Sequence, residues 1–128
     1  MLNRDGIRKT TMTAPKQILA NVELQSSVGC IVPQSLGVTV GSNKIAKAGT
    51  PIQIDMMNLQ TAAKAANGSV AMNAVLLHDV DVTTGNANGT ALIFGFVNVN
   101  RVDTDVAALI TTAMGATGRS TQITFMKA

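Results

Sequence analysis

The apolar residues of this chain fall into short runs, most of which alternate with polar neighbours. Alternation sends successive side chains to opposite faces of an extended backbone, so it predicts half-buried strands. Leu19 to Gln25 alternates in this way. Val28 to Val32 and Leu36 to Val40 are further apolar runs, separated by Pro33 and closed by the turn cluster Gly41-Ser42-Asn43. Lys44 to Asp55 is interrupted by Gly49-Thr50-Pro51, and because Pro51 has no N–H to give a ladder, a bend or a sheet edge is expected there. The clearest strand runs from Val70 to Val82. Val70, Met72, Ala74, Leu76, Val80 and Val82 share one face, with Asn73, Asp79 and Asp81 on the other.

Thr83 to Gly89 (TTGNANG) reads as a hairpin loop leading into Thr90 to Asn98. That strand is apolar on both faces, with Leu92, Phe94 and Phe96 on one and Ile93, Val97 and Val99 on the other. A strand covered on both sides lies inside a sandwich or barrel, or under a partner chain, so Leu92, Phe94 and Phe96 are candidate core or oligomer residues. Thr121 to Met126 alternates again and closes the chain as a last strand.

Two stretches change period. Between Thr104 and Met114, Val106, Leu109, Ile110 and Ala113 recur at helical spacing, Asp103 is placed to cap the start, Asp105 complements the dipole and Gly115 ends the run. Asp55 to Gly68 also reads as a helix, with Asp55 as N-cap and Met56, Leu59 and Ala63 on one face. Being short and Ala-rich, it fits an irregular excursion as well. The expectation is a mainly β (α+β) domain with one or two short helices.

The distribution of charge divides the chain. Residues 1–16 carry four basic residues and one acid, whereas residues 17–128 are neutral overall, so the whole net charge of +3 belongs to the first segment. Residues 1–16 also lack an apolar period, so they read as an extended basic arm before a single β-rich domain over residues 17–128. Charged residues make up only 13% of the chain, where about a quarter is usual, and so sparse a charge fits a protein that hides part of its surface in an assembly.

Little of this composition supports chemistry. One cysteine, Cys30, excludes an internal disulfide, and one histidine, His78, leaves no pair for zinc. Strand parity sends His78 to the apolar face, as a packed and hydrogen-bonded residue, and Asp79 and Asp81 to the other. Asp79-x-Asp81-x-Thr83 fails as a calcium loop because Gly85 comes one position late and no Glu follows at the end. No nucleophile elbow or phosphate-binding glycine motif is present, so neither an enzyme nor a bound cofactor or metal is expected. No Trp or Tyr is present to stack bases, which makes nucleic acid an unlikely partner; a module that grips phosphates with the basic arm stays open as an alternative. The uncharged run Val82 to Asn100 holds three Gly and four Asn and does not suit a membrane span. The basic start leads into Thr, Pro and Lys and not into an apolar signal core, so synthesis in the cytoplasm is expected.

Several segments, taken in order, resemble the small head decoration (cement) proteins of tailed bacteriophages, the lambda-type family. They are Lys47-Ala48-Gly49-Thr50-Pro51-Ile52, Ala74-Val75-Leu76-Leu77-His78-Asp79-Val80-Asp81-Val82-Thr83, Asn88-Gly89-Thr90-Ala91-Leu92-Ile93, Gly95-Phe96-Val97-Asn98 and Arg101. The resemblance covers roughly the last 80 residues. Asn73 stands where such proteins often carry Gly, and the segment from Asp55 to Ser69 is expanded. The resemblance implies a small β-tulip or β-barrel-like domain and a homotrimer on local threefold positions of the capsid exterior. The implied partner is the major capsid protein, the implied role is to reinforce the shell, and the implied location is the virion. It also implies that the arm orders against the major capsid protein. The arm's own residues make Arg4, Arg8, Lys9, Thr11, Thr13 and Lys16 the candidate capsid-binding set: Arg4, Arg8 and Lys9 are suited to acidic surface, and the β-prone stretch Thr10-Thr11-Met12-Thr13 to pairing with a capsid strand. Another virion component, such as a fibre base or a head-tail joining protein, is the remaining alternative.

Overall fold

The computed structural model of the chain describes residues 17–21, 25–67, 69–114 and 122–127. The expected arm, Glu23 of the first expected strand and Gly115 lie outside them. The strands are β1 (Ser26–Val32), β2 (Val38–Val40), β3 (Asn43–Ala46), β4 (Pro51–Gln53), β5 (Lys64–Ala65), β6 (Ala74–Leu76), β7 (Val80–Asp81), β8 (Ala87–Asn98) and β9 (Ile123–Met126). One α-helix, α1, spans Thr104–Met114, with the bounds that its apolar spacing predicts. The fold is mainly β.

The larger sheet has the order β1-β8-β6-β4-β5, antiparallel throughout, and β9 runs parallel to the far end of β8. The smaller antiparallel sheet is β2-β3-β7. The larger sheet does not close into a barrel; Ile31 of β1 forms an isolated bridge to Ala62 at one end only.

The two-sided apolar character of β8 has an internal cause. Leu92 and Val97 pack with Val75, Leu77 and the buried face of α1 (Val106, Ile110, Ala113). Ala91 packs on the opposite side with Val32, Ile52, Leu76 and Val82, between the two sheets. The central strands thus separate two cores, and burial on both faces needs no partner chain.

Phe94 and Phe96 do not share the fate of Leu92. Ser26 lies opposite Phe94 and Ser27 opposite Leu92, so β8 carries an extra residue here, a β-bulge. The bulge slips the alternation by one, which is why Leu92 and Val97, of opposite parity, reach the same core. Leu92 is fully buried, Phe96 is half-buried, and Phe94 is left 45% exposed.

Three other expectations are corrected. Asp55 to Asn67 is not a helix, and the expected stop, Gly68, lies outside the described residues. The Met57 amide donates to Asp55 Oδ1 at 2.9 Å as a helix cap would have it, but the Gln60 amide, which a helix would send to the Met56 carbonyl, donates to Asn58 Oδ1 at 3.1 Å, so a second short polar side chain stops the helix before its first turn closes. The chain then turns up as β5, and the Ala63 amide bonds the Ile31 carbonyl of β1 at 2.9 Å. Val70 to Val82 is not one strand either. It breaks at His78-Asp79, which leaves β6 in the larger sheet and β7 in the smaller. Thr83 to Asn86 therefore crosses between sheets and is not a hairpin loop, and Ala87 to Gly89 already belong to β8. Pro51 is the first residue of β4, between β6 and β5; its carbonyl accepts from the Ala66 amide at 3.1 Å, and the rung is one-sided because proline has no N–H to return.

Candidate functional site

The polar groups that the sequence brings nearest to one another lie around the turn from Lys47 to Pro51. Gly49 has φ +94°, a left-handed conformation that favours glycine, and a Cβ there would come within 2.5 Å of Val102 Cγ1. Its amide donates to the Leu76 carbonyl at 2.7 Å, and the Leu76 amide donates to the Thr50 carbonyl at 3.0 Å. The buried Thr50 hydroxyl donates to the Lys47 carbonyl at 2.7 Å. Asp79 Oδ1 accepts from the Ala48 amide at 2.7 Å. These groups pin the turn to β6 and to the start of β7.

Lys47 reaches to the start of α1, where its Nζ lies 3.1 Å from Asp105 Oδ2 and 3.3 Å from Asp103 Oδ2. The hydrogen bond to Asp105, and then that to Asp103, hold its pKa above the usual lysine value. Lysine paired in this way stays charged and is a poor base. Its carboxylate partners anchor the helix to the turn.

His78 and Asp81 do not join this arrangement. Asp81 Oδ1 accepts from the Thr83 hydroxyl at 2.6 Å and from its amide at 2.9 Å, which keeps the carboxyl below its usual range. His78 is half-buried, and among the described residues its buried Nδ1 has no hydrogen-bond partner, contrary to the satisfied histidine expected from strand parity. Cys30 is buried, and burial pushes its thiol pKa up, away from the reactive thiolate. Among the described residues no three His, Cys, Asp or Glu side chains are grouped to hold a metal ion, and no helix is long and apolar enough to cross a membrane.

What the surface offers is apolar area and backbone. Met57 is 94% exposed at the tip of the loop after β4, and Leu109 of α1 is 44% exposed above a cleft of about 200 Å³ lined also by Leu36, Val38, Pro51 and Val106. Chain comparison adds no relative. No protein-family model, curated protein or solved structure matches. Of the residues singled out from sequence, Leu92 belongs to the core, Phe94 to the surface and Phe96 to the boundary between them. Arg4, Arg8, Lys9, Thr11, Thr13 and Lys16 lie outside the described residues. The exposure of Met57 has no signal in the sequence, since it depends on the turn at Asp55 that replaces the expected helix.

Proposed function

We propose that this chain is a structural protein of a tailed-phage virion, a decoration protein that binds the capsid exterior as a trimer and stabilises the shell without catalysis. The observation that carries the reading is how its family-like segments meet. The Lys47–Ile52 turn, the Ala74–Thr83 stretch and the Asn88–Ile93 part of β8 are hydrogen-bonded neighbours. Gly49 bonds Leu76, Asp79 bonds Ala48, and the Leu77 amide donates to the Thr90 carbonyl at 2.9 Å. The segments that resemble decoration proteins thus form one contiguous unit in the middle of the fold, and Gly49, Thr50, Leu76, Asp79 and Asp81 in them have their polar groups engaged in holding shape. The low charge of the domain and the concentration of net charge in residues 1–16 agree with a protein that works by contact.

The test is reconstitution. Purified protein is added to shells lacking it and imaged by cryo-microscopy. The expected result is added density at local threefold positions and shells that resist heat or low salt better than undecorated ones. Density confined to a portal or fibre position would replace this reading with that of another virion component. Steeply salt-dependent DNA binding without shell binding would replace it with a nucleic-acid module.

A further inference from the structure

β1 is the outermost strand of the larger sheet, and its exposed side is built unlike that of a solitary protein. Edge strands present unpaired N–H and C=O groups, and soluble proteins usually blunt them with charge, proline or brevity. β1 has seven residues, Ser-Ser-Val-Gly-Cys-Ile-Val, with neither charge nor proline.

Two hydrogen bonds show which of its backbone groups point outward. The Ile31 carbonyl accepts from Ala63, on the side away from β8. Thr90, which lies opposite Gly29, turns its carbonyl towards Leu77 and so also away from β1. In an antiparallel ladder residues alternate between bonding the partner strand and facing outward. Ser27, Gly29 and Ile31 therefore present their amides and carbonyls outward. The Ile31 carbonyl is taken by Ala63; among the described residues nothing pairs with Ser27 or Gly29 on that side.

Among the described residues there is room over this strand for added side chains. A Cβ built on Gly29 would meet nothing within 4 Å, and a cleft of about 410 Å³ lies over the β1–β8 pair, lined by Gly29, Cys30, Ile31, Asn88 and Gly89 and reaching to Leu59 and Gln60. Phe94, exposed, lies opposite Ser26 at the other end.

We infer that the outer edge of β1 is a strand-addition site, where Ser27 and Gly29 pair with an extended, uncharged segment of a partner protein. This rests on the decoration reading, which makes that segment part of the shell protein. The chemistry of recognition is backbone pairing, with alternate side chains of the incoming segment entering the cleft at Gly29 and Leu59. It is separate from any contact made by residues 1–16.

Gly29→Pro tests it in the full-length protein. Proline removes an outward N–H and sets its ring in the path of an added strand. Every bond between β1 and β8 survives, because the Gly29 amide makes none of them. Ser27→Pro does the same two residues earlier, should Gly29→Pro fail to fold, and Gly29→Ala keeps the N–H as a control. The expected result is shell binding about tenfold weaker or more for either proline variant, the loss of one or two backbone hydrogen bonds and of close approach. Gly29→Ala should bind like wild type, and melting temperature and oligomeric state should not move. In wild type, the Gly29 amide should exchange with solvent rapidly in the free protein and be protected on shells. Normal shell binding by a folded proline variant overturns the site. A proline variant that instead dissociates the oligomer also overturns it, since the edge then belongs to a second copy. Wild-type protein that ignores shells brings down the decoration reading, and this assignment with it.

Discussion

Asn73 shows what one side chain can do for a sheet. Its Oδ1 accepts from the Ile54 amide and its Nδ2 donates to the Ile54 carbonyl, each at 2.8 Å, so the amide group extends the β4–β6 ladder by a rung where both strands have ended. A glycine at this position would lack that rung. Asn73→Ala is expected to cost about 2 kcal/mol in denaturant unfolding, two partly buried hydrogen bonds at about 1 kcal/mol each. A loss below a few tenths of a kcal/mol would show that water replaces both. Asp81 makes a prediction in pH. The Thr83 hydroxyl and amide hold its carboxyl below the usual range in the folded state. The unfolded chain therefore takes up the proton first, and the stability due to Asp81 is complete at neutral pH and lost as pH falls through its lowered folded pKa. Asp81→Ala should melt below wild type at neutral pH and converge with it in acid. A gap that stays constant across the carboxylate range would assign the effect to packing and not to charge.

At the scale of elements, α1 and the segment after β4 contrast. In α1 the bounds and the acidic first turn agree with the tertiary surroundings, but of the four residues expected on one apolar face only Val106, Ile110 and Ala113 are buried, and Leu109 is exposed. Ile110→Ala should destabilise by about 3 kcal/mol through loss of burial and the cavity left behind. Leu109→Ala should stay within about 0.5 kcal/mol, as surface changes do. Chemical denaturation of the two variants decides this; equal losses would mean that the Leu109 side is covered, as in a subunit interface. In the segment after β4, Asp55 and Asn58 form local turns and Ala63 is drawn to β1, and helix propensity is overridden.

At the scale of the whole molecule, attachment and folding are expected to be separable. Residues 1–16 carry the net charge and no periodic apolar face. In a trimer three such arms act together, and tethering turns three weak contacts into strong attachment through effective concentration. Deleting residues 1–16 should leave the melting temperature and oligomeric state nearly unchanged while greatly weakening shell binding, as measured by co-sedimentation. Neutralising Arg8 and Lys9 together should weaken attachment more in low salt than in high salt, because exposed charges are screened. A truncated protein that decorates shells as tightly as the full chain would put attachment wholly on the folded domain. A truncation that unfolds it would move the arm into the core.

Local pattern alone determined a good deal: the mainly β class, the bounds of α1, the alternation of β9, and the burial of β8 on two faces. Each follows from side-chain spacing on a single element, which a sequence displays directly. Other features depended on tertiary structure. Whether Thr90 to Asn98 was covered by the protein's own cores or by a partner turned on Val75, Leu76 and α1, which are distant in sequence. The bulge at Ile93 that left Phe94 in solvent, and the break at His78-Asp79 that split one apparent strand between two sheets, arose from pairing with β1 and β3. Period two says which face a residue occupies but not which strand lies beside it, because hydrogen bonding between strands involves the same backbone groups in every residue. For the same reason the edge at Ser27 and Gly29, unpaired among the described residues, was invisible in the sequence: an outermost strand is defined only by which neighbours the others leave it.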